Sequence, residues 1–217
     1  MNDSMFSDET SRLFLLCTIE LSTAVFRGLA DTDCLALCED GLADLHPLYK
    51  ADKGNLAELC EKIAELEQLC DSHAEDRSGF CQLCSTEYVR LFVSNREGVP
   101  VPLYASCHTA GHRDHQVMAA PALAMQQRLN AVGLKTSGES NEPPDHISIQ
   151  LEYLYYLLST GWRDHDEIAL ENAADFVRND MLPWVEELKA KLESHDRCGL
   201  YAGTAGVLTT LLKYVAA

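Results

Sequence analysis

Apolar side chains recur at intervals of three and four along almost the whole chain, and no stretch alternates residue by residue. From Ser7 to Leu29, the residues Leu13, Phe14, Cys17, Leu21, Val25 and Leu29 form the stripe of an amphipathic helix. The same period predicts a shorter helix from Thr32 to about His46. It predicts a third, capped by Asn55, with Leu56, Leu59, Cys60, Ile63, Leu66 and Cys70 facing inward. Leu83, Tyr88, Leu91 and Phe92 carry the pattern through Gly79–Ser94. Helix is expected again over His115–Ala131, with Gly133 as a left-handed cap, and from Asp145 to a close at Gly161. Further helices are expected near 165–179, 181–195 and 200–216. With no strand, repeat or low-complexity tract, the predicted class is all-α, a single helical domain of about ten helices.

Proline divides that domain. Asn95–Ser106 holds Gly98, Pro100 and Pro102, and each proline confines itself and its predecessor to extended geometry. The stretch 95–105 is therefore expected to be a hinge loop. It joins an N-terminal subregion, about 1–94, to a C-terminal one, 106–217, within one domain spanning 1–217.

At 217 residues the chain is long enough to bury a real core. Thirty-four acidic against 17 basic residues give a formal charge of −17, a field that repels phosphate backbones and attracts cations. Nucleic acid is excluded as the expected partner. Met1–Glu9 has neither a basic nor an uninterrupted apolar region of the kind a secretory signal carries, so a cytoplasmic protein is expected. The uncharged apolar-leaning stretches Leu13–Ile19 and Gly199–Leu212 fall short of the roughly 20 residues that span a bilayer. Nine cysteines, an odd number, then suggest reduced thiols rather than a disulfide framework, with Cys17, Cys60 and Cys70 at core positions.

The sharpest local feature is Glu142-Pro143-Pro144-Asp145-His146-Ile147. Two prolines fix the chain just ahead of a helix whose first side chains are a carboxylate and an imidazole. The pattern also suits a plain cap, in which Asp145 accepts orphan backbone N–H groups for about 0.5–2 kcal/mol. A rival constellation is Cys81-x-x-Cys84 with Cys107-His108, His112 and His115, soft ligands that would suit zinc or iron. It supports an alternative reading as a helical Cys/His metal-binding protein. Catalysis has little to stand on. Cys107 and His108 are adjacent in sequence, which does not supply the contact a nucleophile and base require. Gly199, Gly203 and Gly206 follow no strand and lack the lysine of a phosphate loop. No enzyme, no cofactor and no metal are assigned.

Three segments in order carry a family resemblance: Glu87-Tyr88-Val89-Arg90-Leu91-Phe92-Val93, then Pro100-Val101-Pro102-Leu103-Tyr104-Ala105-Ser106, then Glu142–Ile147 with Leu151-Glu152-Tyr153-Leu154. Phe176 with Leu182-Pro183-Trp184-Val185 extends it, so that the likeness covers roughly residues 10–195. The sequence resembles the TorD/DmsD family of cytoplasmic redox-enzyme maturation chaperones. One departure is Gln150, where the family usually has Glu before the leucine.

The resemblance implies an all-helical, non-catalytic chaperone that binds the twin-arginine signal peptide of a molybdopterin-containing oxidoreductase. It would hold the apo catalytic subunit back from export until the cofactor is inserted. By the same likeness, leader binding falls to Pro144, Asp145 and His146, with Glu142 and Ser106 beside them. Asp145 and Glu142 would pair with the leader arginines, and His146 would hydrogen-bond the leader backbone or titrate near neutrality. Tyr88 and Phe92 would shape the adjoining pocket, although their spacing equally suits plain core. Family members have been associated with guanine nucleotides, and no residue of this chain is assigned to that role. Trimethylamine oxide, dimethyl sulfoxide, nitrate and selenate reductases would all fit as client. Physical chemistry agrees in outline: two guanidiniums followed by an apolar run call for carboxylates beside an apolar groove.

Overall fold

A computed structural model describes residues 8–42, 45, 48, 56–96, 98–108, 120–134 and 142–217. Among the described residues there are nine α-helices and no strand: α1 Glu9–Arg27, α2 Asp31–Ala36, α3 Ala57–Ser72, α4 Arg77–Tyr88, α5 Ala120–Ala131, α6 Ile147–Asp164, α7 Glu167–Phe176, α8 Leu182–His195 and α9 Leu200–Ala216. Three of the junctions are π turns, Leu37–Gly41 after α2, Val89–Val93 after α4 and Val177–Met181 between α7 and α8. No described helix is long and apolar enough to cross a membrane.

α9 lies at the centre. It packs on α8, α3 and α1, while α1 in turn lies along α6, and α6 along α7. Val207, Leu208, Leu211 and Leu212 of α9 are fully buried. Its threonines stay in the core because Thr204 and Thr209 donate to the carbonyls of Leu200 and Ala205, one turn back. The described buried apolar side chains form one cluster, drawn from both sides of the hinge loop.

The α3 face follows its sequence period, with Leu59, Ile63, Leu66 and Cys70 buried and Cys60 half-buried. α1 does not. Leu13 is 48% exposed, and the inward face is instead Phe14, Leu15, Thr18, Ile19, Ser22, Val25 and Phe26. The stripe is rotated because the hydroxyls of Thr18, Ser22 and Thr23 bond to carbonyls four residues back, which lets small polar residues serve as core. Gly161 is not a stop either. A Cβ there would lie 2.6 Å from Leu170, so glycine permits close contact with α7, and α6 runs on to a left-handed end at His165. The predicted helix starts at Asn55 and His115 lie outside the described residues, as do His112 and the rest of 109–119.

The expectation of reduced thiols needs correction at one pair. Cys34 and Cys81 form a disulfide, with their Cα atoms 5.7 Å apart. The cause is tertiary: α2 packs on α4 and brings together residues 47 positions apart, at a separation a disulfide spans. The remaining seven cysteines are free.

Candidate peptide-binding site

The hinge loop and the proline turn are stitched together. Ala105 N–H donates to the Asp145 carbonyl at 3.1 Å, and Ile147 N–H donates to the Leu103 carbonyl at 2.9 Å. An antiparallel bridge between Tyr104 and His146 lies between these bonds. At its other end the loop is tied to α4 by Val101 N–H on the Leu91 carbonyl. Two segments about 40 residues apart thus become one ledge, and prolines on both strands keep it extended.

Asp145 sits inside this ledge. The residue has no exposure; one carboxylate oxygen, Oδ2, accepts Ser106 N–H at 2.9 Å, and Oδ1 is buried without a hydrogen-bond partner. Ser106 Oγ is likewise buried, with the Cys107 thiol beside it. The Asp145 carboxylate therefore clamps the hinge loop to the turn and caps no helix. That role falls to His146, whose Nδ1 accepts Ser148 N–H at 3.2 Å at the start of α6. The Ser148 hydroxyl lies 2.8 Å from the same nitrogen, which assigns the ring proton to Nε2. Burial pushes the His146 pKa down, against the pull of Glu142 and Asp145, and nearby Arg27 lowers it further. Pro144 is buried as well.

Glu142 is the exposed carboxylate of the turn. It accepts the Tyr104 hydroxyl at 2.5 Å, and the Tyr104 ring meets His146 edge-on at 5.2 Å. Burial, then Glu142, drive the Tyr104 hydroxyl well above its ordinary pKa. Tyr88 stands close enough for the Glu142 charge to add to the rise that burial causes in its own pKa. Its hydroxyl donates to the Phe26 carbonyl at 3.3 Å, and its ring covers Gly28, where φ is +91° and a Cβ would come within 2.9 Å of Tyr88. Phe92 is buried edge-on against Tyr88 and Tyr201. Tyr88 thus borders the ledge, and Phe92 belongs to the core behind it.

Glu87, at the head of the same motif, is buried and held by two Arg90 bonds of 2.8 and 2.7 Å and by Arg197 N–H. The Arg90 guanidinium keeps its carboxyl below the usual range. Its role is to lock α4 to the α8–α9 connection.

Two clefts lie near the ledge, one reaching it through Arg27, whose charge acts on His146, and the other lined in part by its Ala105. One, of about 430 Å³, runs between α1 and α6, with Ile19, Ala24 and Tyr155 as walls and Glu20 and Glu152 as carboxylates. Arg27 pairs with Glu152 at its edge. The other, of about 640 Å³, is bounded by Ala105, Met125, Phe176 and Trp184. Gln150 accepts the Trp184 indole N–H there at 3.1 Å, and Arg128 pairs with Asp180. Tyr104, Arg27, Glu152 and Trp184 had no site role in the sequence reading. Tyr104, Glu152 and Trp184 all lie in the segments that carry the family likeness, and Arg27 has no such signal.

Among the described residues, which leave out His112 and His115, the proposed metal constellation does not assemble. His108 Nε2 donates to the Pro102 carbonyl at 2.7 Å, its Nδ1 faces Lys191 and Glu187, and burial pushes its pKa down. Cys81 is bonded to Cys34, and Cys84 lies against Cys198. Among the described residues, Cys107 and His108 converge with no third ligand.

Residues 52–190 match the family described as "Nitrate reductase delta subunit". The chain is similar to the chaperone protein TorD of Vibrio cholerae serotype O1 (strain ATCC 39541), 30% identical across 85% of this chain and 82% of that protein. The TorD chaperone of Salmonella arizonae is 25% identical across 89% and 85%, and that of Aliivibrio fischeri 26% identical across 71% and 69%. The likeness thus runs through the ledge and the helices that carry it, and this chain belongs to the TorD-like nitrate reductase delta subunit family of redox-enzyme maturation chaperones.

Proposed function

We propose that this chaperone binds the twin-arginine leader of a molybdopterin-containing oxidoreductase while the catalytic subunit still lacks its cofactor, on the cytoplasmic side and before export. It binds and does not catalyse. The observation that carries this reading is the grouping of carboxylates and apolar walls around the ledge. Glu142 stands at its surface, and Glu152 and Glu20 edge the α1–α6 cleft beside it. Arg27 on Glu152 is an internal example of the guanidinium–carboxylate pair that a leader arginine would make.

In this reading the first leader arginine pairs with Glu142 and displaces the Tyr104 hydroxyl. The second competes with Arg27 for Glu152, and the apolar run lies along Ile19, Ala24 and Tyr155. Asp145 is the inner carboxylate. Through Ser106 it holds the hinge loop in register, and its unpartnered Oδ1 takes a leader donor when the ledge loosens. His146, neutral and buried, orients the turn. The net charge of −17 speeds the encounter with a dicationic peptide.

Calorimetry with a peptide carrying two adjacent arginines and a following apolar run tests this directly. Binding is expected to weaken about a hundredfold when Glu142→Gln and Glu152→Gln are combined, roughly 2.7 kcal/mol. Replacing both peptide arginines by glutamine should cause a similar loss. A peptide affinity indifferent to both changes overturns the reading.

A further inference from the structure

Four sulfurs meet where α2, the π turn after it, the end of α3 and the start of α4 converge. The Cys34, Cys38 and Cys81 sulfurs lie within 4.8 Å of one another, and Cys70 Sγ is 2.7 Å from Cys38 Sγ. All four residues are buried. The disulfide accounts for Cys34 and Cys81. It gives no reason for the other two sulfurs to be drawn to the same corner, since a buried free cysteine packs as a small hydrophobe against carbon neighbours.

We propose that, with its four thiols reduced, this corner is a tetrathiolate site for one soft divalent cation, zinc. Zinc binds four thiolates tetrahedrally at about 2.3 Å, which sets the sulfurs about 3.8 Å apart. The Cys34, Cys38 and Cys81 sulfurs, within 4.8 Å of one another, and Cys70, 2.7 Å from Cys38, bracket that spacing. The ligands come from three separate stretches of chain, as in closed structural sites. They would fasten α2, a helix of six residues without a side-chain cap, to the two longer helices beside it.

A second observation points the same way. Arg77 acts on Cys38 through its charge, and its Nε is buried with no hydrogen-bond partner among the described residues. Four thiolates around a divalent cation form a net dianion, and a buried guanidinium N–H is the outer partner that steadies such a centre. π turns such as Leu37–Gly41, which contains Cys38, also recur at functional sites.

Cation and disulfide exclude one another, because both use the Cys34 and Cys81 sulfurs. A phosphine reductant opens the bond. Phosphorus takes up the oxygen of one water molecule and gives two electrons to the S–S bond, which leaves as two thiols. Zinc binding to the four thiols then releases their four protons.

The test uses the full chain, purified without a histidine tag, reduced with a phosphine and titrated with zinc alone. One zinc per chain is expected by elemental analysis after gel filtration. Cobalt in its place should give thiolate-to-cobalt charge-transfer bands and tetrahedral d–d bands, a readout that needs no variant. Cys38→Ser and Cys70→Ser should each lose stoichiometric zinc, while Cys84→Ser and Cys198→Ser, at the neighbouring sulfur pair, keep it. A reduced chain that takes up no zinc overturns the site, as does a cobalt adduct without thiolate bands. Retained zinc in both the Cys38→Ser and Cys70→Ser chains would overturn it equally.

Discussion

The inner part of the ledge around Asp145 and the helix α9 are both buried, and they are held by different means. In α9 the hydroxyls of Thr204 and Thr209 bond to their own helix one turn back, and apart from the Tyr201 hydroxyl, which donates to the Cys84 carbonyl, burial rests on apolar packing from α1, α3 and α8. In the ledge the bonds join residues about 40 positions apart. Asp145 reaches Ser106, and Tyr104 reaches Glu142. Local bonds survive small shifts of the helix that carries them. Long-range polar bonds hold only while both strands stay in register, so the ledge opens as a unit where α9 merely adjusts. The part of the molecule assigned to binding is thus the part whose order depends on polar pairing.

Substitutions can break or sharpen this contrast. Leu208→Ala in α9 should have the largest effect on stability, about 2–5 kcal/mol in denaturant unfolding, with leader affinity unchanged in the folded protein. Asp145→Ala should remove about 1.5–3 kcal/mol and, unlike Leu208→Ala, also weaken leader binding. Equal effects of both on affinity would erase the distinction. Gly28→Ala should remove about 1–3 kcal/mol, because φ is +91° and Tyr88 occupies the Cβ position.

A pH effect comes next. His108 and His146 both have pKa values depressed by burial below the ordinary 6.5. The unfolded chain therefore takes up protons first as pH falls below 6.5. Stability is complete above that pH and declines through the interval down to the folded values, by up to about 1.4 kcal/mol per pH unit for each histidine. Thermal melts between pH 7.5 and 5 should show the decline, and His146→Gln should flatten part of it. Glu142→Gln alone should leave stability within about 0.5 kcal/mol and lower leader affinity about tenfold.

How much of this is legible in the sequence depends on the range of the interactions involved. The α3 face follows from periodicity because Leu59, Ile63 and Leu66 are apolar and the helix is regular. The α1 face does not, since buried Thr18 and Ser22 are polar in composition yet satisfied by their own backbone. Gly161 looks like a stop until Leu170 is seen against it. The turn at 142–147 and the loop at 100–106 stand out through their prolines and through the family likeness. The burial of Asp145 does not, because it depends on a backbone N–H 39 residues away. The sulfur corner is equally hidden, its members being scattered from residue 34 to residue 81 and joined only by the packing of α2 on α4.

The π turns have a consequence for how chains of this kind can differ in length. Each takes one residue more than the α-helical path, and one residue is worth about 100° of rotation about the helix axis. In a regular helix an extra residue would swing every later side chain round by that angle, but the wide turn absorbs it, so deleting a residue from Val89–Val93 or Val177–Met181 should close the turn to an α-helical one and leave the side chains beyond it facing as before. Single-residue insertions and losses at these points offer a route to changing the length of the chain without re-aiming Trp184 and the helix beyond it.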